Sequence, residues 1–343
     1  MRTRRAKIKF ISILFAVAAV GIFVMLSAFL IGTKKDMFEG NAFRHGKNSF
    51  SNVSFKTFDS SGKNISLKSD EVYESQKDHY VFKNLVSAFA LSNGELVTVS
   101  ANQTKAIRKD RTECEFIGNV KLSTESGLLM ESEKLFVDCN KKIASGDSDV
   151  VISQENTHLS AKGYFFDMNN NTLTLNNKAN GSFKSNKISA NKMIICFNDM
   201  HKKSVKSIDA FENANFTTPD YTLKASKSIL YTENEVKASQ NVVLFYHKDS
   251  SSYDVRADSM QAKINNGALG TVKANGSLII KTKDAKIRSD SGILDGDNVN
   301  VFGNVVISGK HGNIFGKTAT IDTKTGKVLV SKSSGIVDDG KHR

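Results

Sequence analysis

Proline and tryptophan are almost missing from this chain of 343 residues: Pro219 is the single proline and there is no tryptophan. Abundant Asn, Ser, Lys and Gly beside 39% apolar residues favour ordered polar strands and turns over disorder. The three cysteines, Cys114, Cys139 and Cys196, show no C-x-x-C spacing and no neighbouring histidine pair, which argues against a metal centre or a redox motif. A Cys114–Cys139 disulfide stays open, but an odd number at unrelated phases of the repeat favours buried thiols.

Catalytic constellations are lacking as well. The seven histidines, at 45, 79, 158, 201, 247, 311 and 342, lie far apart in sequence with no Ser, Cys or carboxylate at a recognisable spacing. The run Gly312 to Thr318 approaches a phosphate loop, yet it has three residues between its glycines where four are required. The acidic turn Asp295-Gly-Asp297-Asn298 has no downstream glutamate of an EF-hand and reads as solvated. The chain is therefore expected not to be an enzyme and to need no cofactor and no metal.

A block of basic charge of the kind that binds nucleic acid is also absent from most of the chain. Of the formal +13, residues 1–35 supply +7, from seven Lys or Arg and no acid, and the remaining +6 is scattered among acidic residues. No nucleic-acid partner is expected.

Phe10–Ile31 is a long uncharged run, about 33 Å as a helix and enough to cross a bilayer. Arg2, Arg4, Arg5, Lys7 and Lys9 precede it, so the N-terminus is expected in the cytoplasm and the chain after Lys35 across the membrane. A cleaved signal peptide is the alternative. The run exceeds the usual ~7–15-residue apolar region and no clear Ala-x-Ala site follows, which favours an uncleaved anchor.

Beyond the span, a short pattern recurs: an aliphatic residue, any residue, a small residue, then two polar or small ones. Its copies begin at Leu67, Val99, Leu129, Leu159, Ile188, Leu223, Val255, Ile287 and Ile314, about 31 residues apart on average, and the third is the weakest because Glu131 takes the small position. A second element, Asn or Gly followed by apolar alternation, appears at Asn52, Asn84, Gly118-Asn119, Asn180-Gly181, Asn241, Asn275-Gly276 and Gly303-Asn304. Alternation at period two predicts strands with one buried face. A fixed period predicts stacked units, here about four short strands each, separated by Asn- and Gly-rich turns. Nine such units extend about 85 Å at ~4.8 Å per strand. The expected fold is all-β: an elongated twisted β-jellyroll or solenoid-like stack of antiparallel strands behind one N-terminal transmembrane helix. Its interior is either a trough open to lipid chains or a filled core, and its terminal strands offer edges for strand addition.

The segment Phe302-Gly-Asn-Val-Val-Ile-Ser308 with Ile314-Phe-Gly-Lys-Thr-Ala-Thr-Ile-Asp322 resembles the OstA-type β-jellyroll repeat of the bacterial lipopolysaccharide transport bridge. The basic N-terminus, the span, and strands such as Asn52-Val-Ser-Phe and Phe116-Ile-Gly-Asn-Val120 resemble the anchored component, LptC; Lys184 to Val330 is similar to the soluble component, LptA. The resemblance implies an anchored periplasmic carrier that receives lipopolysaccharide from an inner-membrane ABC transporter complex and passes it to other β-jellyroll proteins by edge-strand addition. Acyl chains then lie along an apolar groove, for which Val120, Leu122, Leu223, Ala225, Val255, Ala257, Val305 and Ile307 are the candidates read from alternation.

The chain is longer than either component. A tandem with a seam near residues 177–186 is one reading, and a single extended anchored protein is the other. The expected division is 1–35 cytoplasmic tip and anchor, 36–50 linker, 51–183 LptC-like jellyroll, 184–335 LptA/OstA-like jellyroll and 336–343 disordered tail. A reading from a different class is a membrane-anchored structural or adhesive β-solenoid with a filled core and no lipid.

Overall fold

The computed structural model describes residues 43–44, 49–58, 64–76, 79–90, 95–107, 113–138, 140–183, 185–198, 205–248, 251–265, 268–282, 285–295, 298–310, 312–322, 325, 327–332 and 334–337. The span expected at residues 10–31 and Cys139 lie outside the described residues. Among the described residues every regular element is a β-strand, and no helix is long and apolar enough to cross a membrane. Strands β1 and the start of β2 fall where a linker was expected, and the last strand ends at Val337, inside the segment expected as a tail.

The chain divides into two compact units, residues 1–181 with 194–206 and residues 182–193 with 207–343. The first unit contains β1 (Phe43–Arg44), β2 (Ser49–Phe58), β3 (Asn64–Gln76), β4 (His79–Ala90), β5 (Leu96–Ile107), β6 (Glu113–Thr124), β7 (Leu129–Asp138), β8 (Ile143–Gln154) and β9 (Thr157–Asp167), with most of β10 (Thr172–Phe183). From β2 to β9 each strand pairs antiparallel with the one before and the one after, a meander that needs only short connections.

In chain order, β11 (Asn186–Phe197) gives residues to both units. The second unit then has β12 (Val205–Phe211), β13 (Ala214–Thr217), β14 (Tyr221–Ala225), β15 (Ser228–Thr232), β16 (Glu235–Lys248), β17 (Ser251–Asn265), β18 (Ala268–Lys281), β19 (Ala285–Asp295), β20 (Asn298–Gly309), β21 (Gly312–Asp322), β22 (Val328–Ser331) and β23 (Ser334–Val337). Strands β16 to β21 form the same antiparallel meander.

The strands are long, mostly 10–15 residues, and not the four short strands per repeat that the turn signals predicted. The reason is visible in the backbone. Asn84, Asn119, Asn241 and Asn304 have positive φ, yet each lies inside a strand. Their left-handed conformation, tolerated by Asn and Gly, bends the strand where a turn was expected to end it. At Gly118-Asn119 the β5–β6 register slips by one residue, from Gln103↔Ile117 to Ser100↔Lys121. The same slip accompanies Gln240-Asn241, Gly276-Ser277 and Gly303-Asn304.

The aliphatic-x-small motif marks the partner bend on the intervening strands. In β5 the buried positions run Val97, Val99, Ala101 and then Thr104, Ala106; in β17 they run Val255, Ala257 and then Met260, Ala262. One added residue reverses the alternation, and a small side chain stands at the inner corner where two strand halves converge. The weak third copy is corrected here: Met130-Glu131-Ser132 is the true motif, with Ser132 buried. Leu128 is itself buried, so the consecutive apolar residues Leu128, Leu129 and Met130 hid the phase.

In the second unit the bends produce two layers. The first half of β16 pairs with β15 and its second half pairs with β14. Phe216 on β13 and Tyr231 on β15, strands that do not pair with each other, bring their rings to 5.1 Å. Such a contact requires the two half-sheets to face one another, and it explains why alternate residues of every long strand are buried.

The outer face carries exposed ion pairs between cross-strand partners, including Lys83–Glu71 at 2.6 Å, Lys105–Glu115 at 3.2 Å and Lys121–Glu131 at 2.8 Å. They add little stability. Asp138 differs: its side chain is 4% exposed, pairs with Lys141 at 2.7 Å and accepts the Lys141 main-chain N–H at 3.0 Å. Burial opposes its ionisation, but these bonds outweigh that effect and hold the carboxyl below the ordinary range. A depressed carboxyl stabilises the fold above its unfolded pKa of roughly 4 and loses that contribution as pH falls through its lower folded value. Asp138→Asn should therefore be less stable than wild type at pH 7, and the gap should close in denaturant melts taken toward pH 2–3.

Candidate apolar interior

Each unit carries an uninterrupted row of inward side chains at one register. In the first unit the row is Phe55↔Leu67↔Ser87↔Val99↔Leu122↔Met130↔Ile152↔Leu159, crossing β2 to β9. All eight residues are buried, Leu67, Val99 and Leu122 completely. In the second unit the corresponding row is Phe216↔Leu223↔Leu244↔Val255↔Ile280↔Ile287↔Ile307, crossing β13, β14 and β16 to β20. Here too every member is at most 5% exposed.

The facing layer of the second unit is built from smaller side chains: Ala210↔Ile229↔Ala238↔Met260↔Ala274↔Gly292↔Val301↔Ala319. Five of its eight members are Ala or Gly and the others are Ile229, Met260 and Val301, so the layer that faces the larger side chains is apolar throughout. Cross-strand aliphatic neighbours of this kind also stabilise the sheet.

All eight side chains proposed from the sequence point inward and are buried: Val120 and Leu122 on β6, Leu223 and Ala225 on β14, Val255 and Ala257 on β17, Val305 and Ile307 on β20. The structure does not bring them into one cluster. Val120 and Leu122 belong to the first unit and the other six to the second. Leu223, Val255 and Ile307 are members of the second row, while Ala225, Ala257 and Val305 stand next to the bend.

Aromatic residues alongside the second row were missed. Tyr221, Tyr246 and Tyr253 are cross-strand partners, one step outward from Leu223, Leu244 and Val255. Tyr246 stacks on Tyr253 at 4.9 Å, and Phe216 lies 5.9 Å from Tyr221. Burial raises the Tyr221 and Tyr231 hydroxyl pKa values, so both stay protonated donors. The signal was present in Tyr221-x-Leu223-x-Ala225 and Tyr253-x-Val255-x-Ala257, where tyrosine keeps the phase of the apolar residues.

The first unit also has a pocket of about 320 Å³ at its strand ends, lined by residues that include His79, Tyr80, Lys105, Glu113, Cys114 and Phe136. Cys114 is buried and Cys196 half-buried. The run Gly312–Thr318 lies within strand β21. Among the described residues no three His, Cys, Asp or Glu side chains converge as metal ligands would.

Residues 44–184, nearly the whole of the first meander, match the family model described as lipopolysaccharide-assembly, LptC-related. This region of the chain is LptC-related. The jellyroll-like stack of long antiparallel strands over residues 49–183 is thus the LptC-related part, and β11 to β23 lie beyond the match. No curated protein matches the chain. The match links residues 44–184 to lipopolysaccharide assembly.

Proposed function

We propose that this chain is an inner-membrane-anchored periplasmic carrier, tethered through residues 10–31, that accepts lipopolysaccharide from an ABC transporter complex and conducts its acyl chains along an apolar interior toward the outer membrane. The observation that supports this most is the in-register buried row of the LptC-related unit, apolar at every position but Ser87, matched by a wholly apolar row in the second unit. Apolar burial is worth about 25 cal/mol per Å² and has no direction, so a uniform row shelters acyl chains and lets them slide. A pocket of directional bonds holds a lipid in one place. The role is one of transfer, with no chemical step and no cofactor.

On this reading the chain is a tandem of an anchored and a soluble bridge component, with the second unit in the soluble component's role. Its final strands support pairing with another jellyroll. Ile314, the residue that follows Ile307 in the row, is 38% exposed, and Leu329 on β22 is 75% exposed. Apolar side chains beside the last strands favour a partner that adds a strand there.

A photoreactive residue placed at Val305 or Leu223 should capture lipopolysaccharide in cells, and the same residue at the outward Lys224 should not. Absence of an adduct at every inward position would reject the transfer role and leave the anchored structural solenoid.

A further inference from the structure

The tyrosines beside the second row include a buried polar atom that the described residues leave unused. Tyr221 is 2% exposed, and its hydroxyl has no hydrogen-bond partner among the described residues. The Thr218 hydroxyl at the same turn is already engaged: it accepts the main-chain N–H groups of Asp220 and Tyr221, at 3.3 and 3.2 Å, and donates to the Tyr221 carbonyl. Leaving a buried donor without an acceptor is costly, and such groups in native proteins commonly await water or a ligand.

The position of this donor is specific. Tyr221 stands two residues before Leu223 on the same face of β14, to one side of the aliphatic row, with Tyr246 and Tyr253 in register beside it. Phe216 lies 5.9 Å from its ring and itself reaches Tyr231 of the facing layer at 5.1 Å. Tyrosine combines an apolar ring with a polar tip and collects where an apolar medium meets a polar one. The aliphatic row is therefore flanked at Leu223, Leu244 and Val255 by a lip of amphipathic rings, and the buried Tyr221 hydroxyl, without a partner among the described residues, lies inside it.

Resting on the carrier reading, we infer that Tyr221 recognises the junction between acyl chain and headgroup of a bound lipid, its hydroxyl donating a hydrogen bond to an ester or amide carbonyl of that lipid. The row takes the hydrocarbon, and the lip registers where the hydrocarbon stops. Sliding of chains along the row is unrestricted, while the junction has a preferred seat at Tyr221.

The test uses the purified full chain in an alkyl maltoside, a detergent without carbonyl groups. Two probes are titrated: lipid A, whose chains are joined through ester and amide carbonyls, and a synthetic ether-linked analogue with chains of the same length. Wild type should bind the carbonyl lipid about three- to tenfold more tightly than the ether. Tyr221→Phe should lose that preference while its affinity for the ether probe is unchanged. Without lipid, Tyr221→Phe should match or exceed the wild-type Tm, because the hydroxyl makes no hydrogen bond of normal geometry among the described residues. A lower Tm, or an ester preference that survives in Tyr221→Phe, overturns this assignment and leaves the carrier reading standing. Wild type that binds neither probe overturns both.

Discussion

Gly303→Ala should destabilise the second unit by about 2–4 kcal/mol, whereas Gly127→Ala should cost the first unit only about 1 kcal/mol. Both glycines have positive φ, +75° and +83°, so both substitutions incur the left-handed penalty of an L side chain. They differ in surroundings. A Cβ on Gly127 meets nothing within 4 Å, but one on Gly303 falls 2.2 Å from Asp290 Oδ2. That carboxylate cannot retreat freely, because it accepts the Asn304 side-chain N–H at 2.9 Å across the bend. Amide hydrogen exchange reports each unit separately and so measures both losses. Equal losses at the two sites would show that the bend is no more constrained than an open turn.

The same contact explains how much of the fold was legible. Asp290 directly follows the small residue Ser289 of one repeat motif, and Gly303-Asn304 is the neighbouring Asn/Gly signal. Asp70 with Asn84 repeats the arrangement at 2.8 Å in the first unit. The two sequence patterns were therefore the two sides of one structural device, the corner where strands cross from one half-sheet to the other. Their period and inward phase were readable, which is why all eight groove candidates are buried.

Strand length was not readable, for a physical reason. Asn and Gly supply positive φ to hairpin turns and to bulges within strands alike, and local sequence does not separate the two uses. Asn169-Asn170-Asn171 does form part of a turn, whereas Asn119 and Asn304 bend continuous strands. Between β12 and β13 the positive-φ pair Glu212-Asn213 interrupts the strand altogether, which accounts for the half-length elements there. The tyrosines are hidden in the sequence because a hydroxyl-bearing residue does not read as part of an apolar stripe. Tyr221, Tyr246 and Tyr253 nevertheless keep its phase, and only cross-strand register shows that the three are adjacent.

The largest functional consequence concerns Leu244, in the middle of the second row between Leu223 and Val255 and 2% exposed. Leu244→Ala should lower the stability of the lipid-free chain by about 2–5 kcal/mol, the sum of lost transfer energy and the space left behind. Leu244→Met, which nearly conserves volume, should cost less than about 1.5 kcal/mol. If acyl chains run along the row, lipopolysaccharide fills the space vacated in the alanine variant, as apolar ligands enter engineered dry cavities. Saturating lipopolysaccharide should then raise the Tm of Leu244→Ala by more than it raises that of wild type, because binding to the folded state alone stabilises in proportion to its affinity. A core closed to lipid behaves otherwise: both variants lose stability by the same packing argument, and added lipopolysaccharide restores neither. An increment in Leu244→Ala no larger than that of wild type would place the acyl chains elsewhere than on this row, even if lipid binding itself persists.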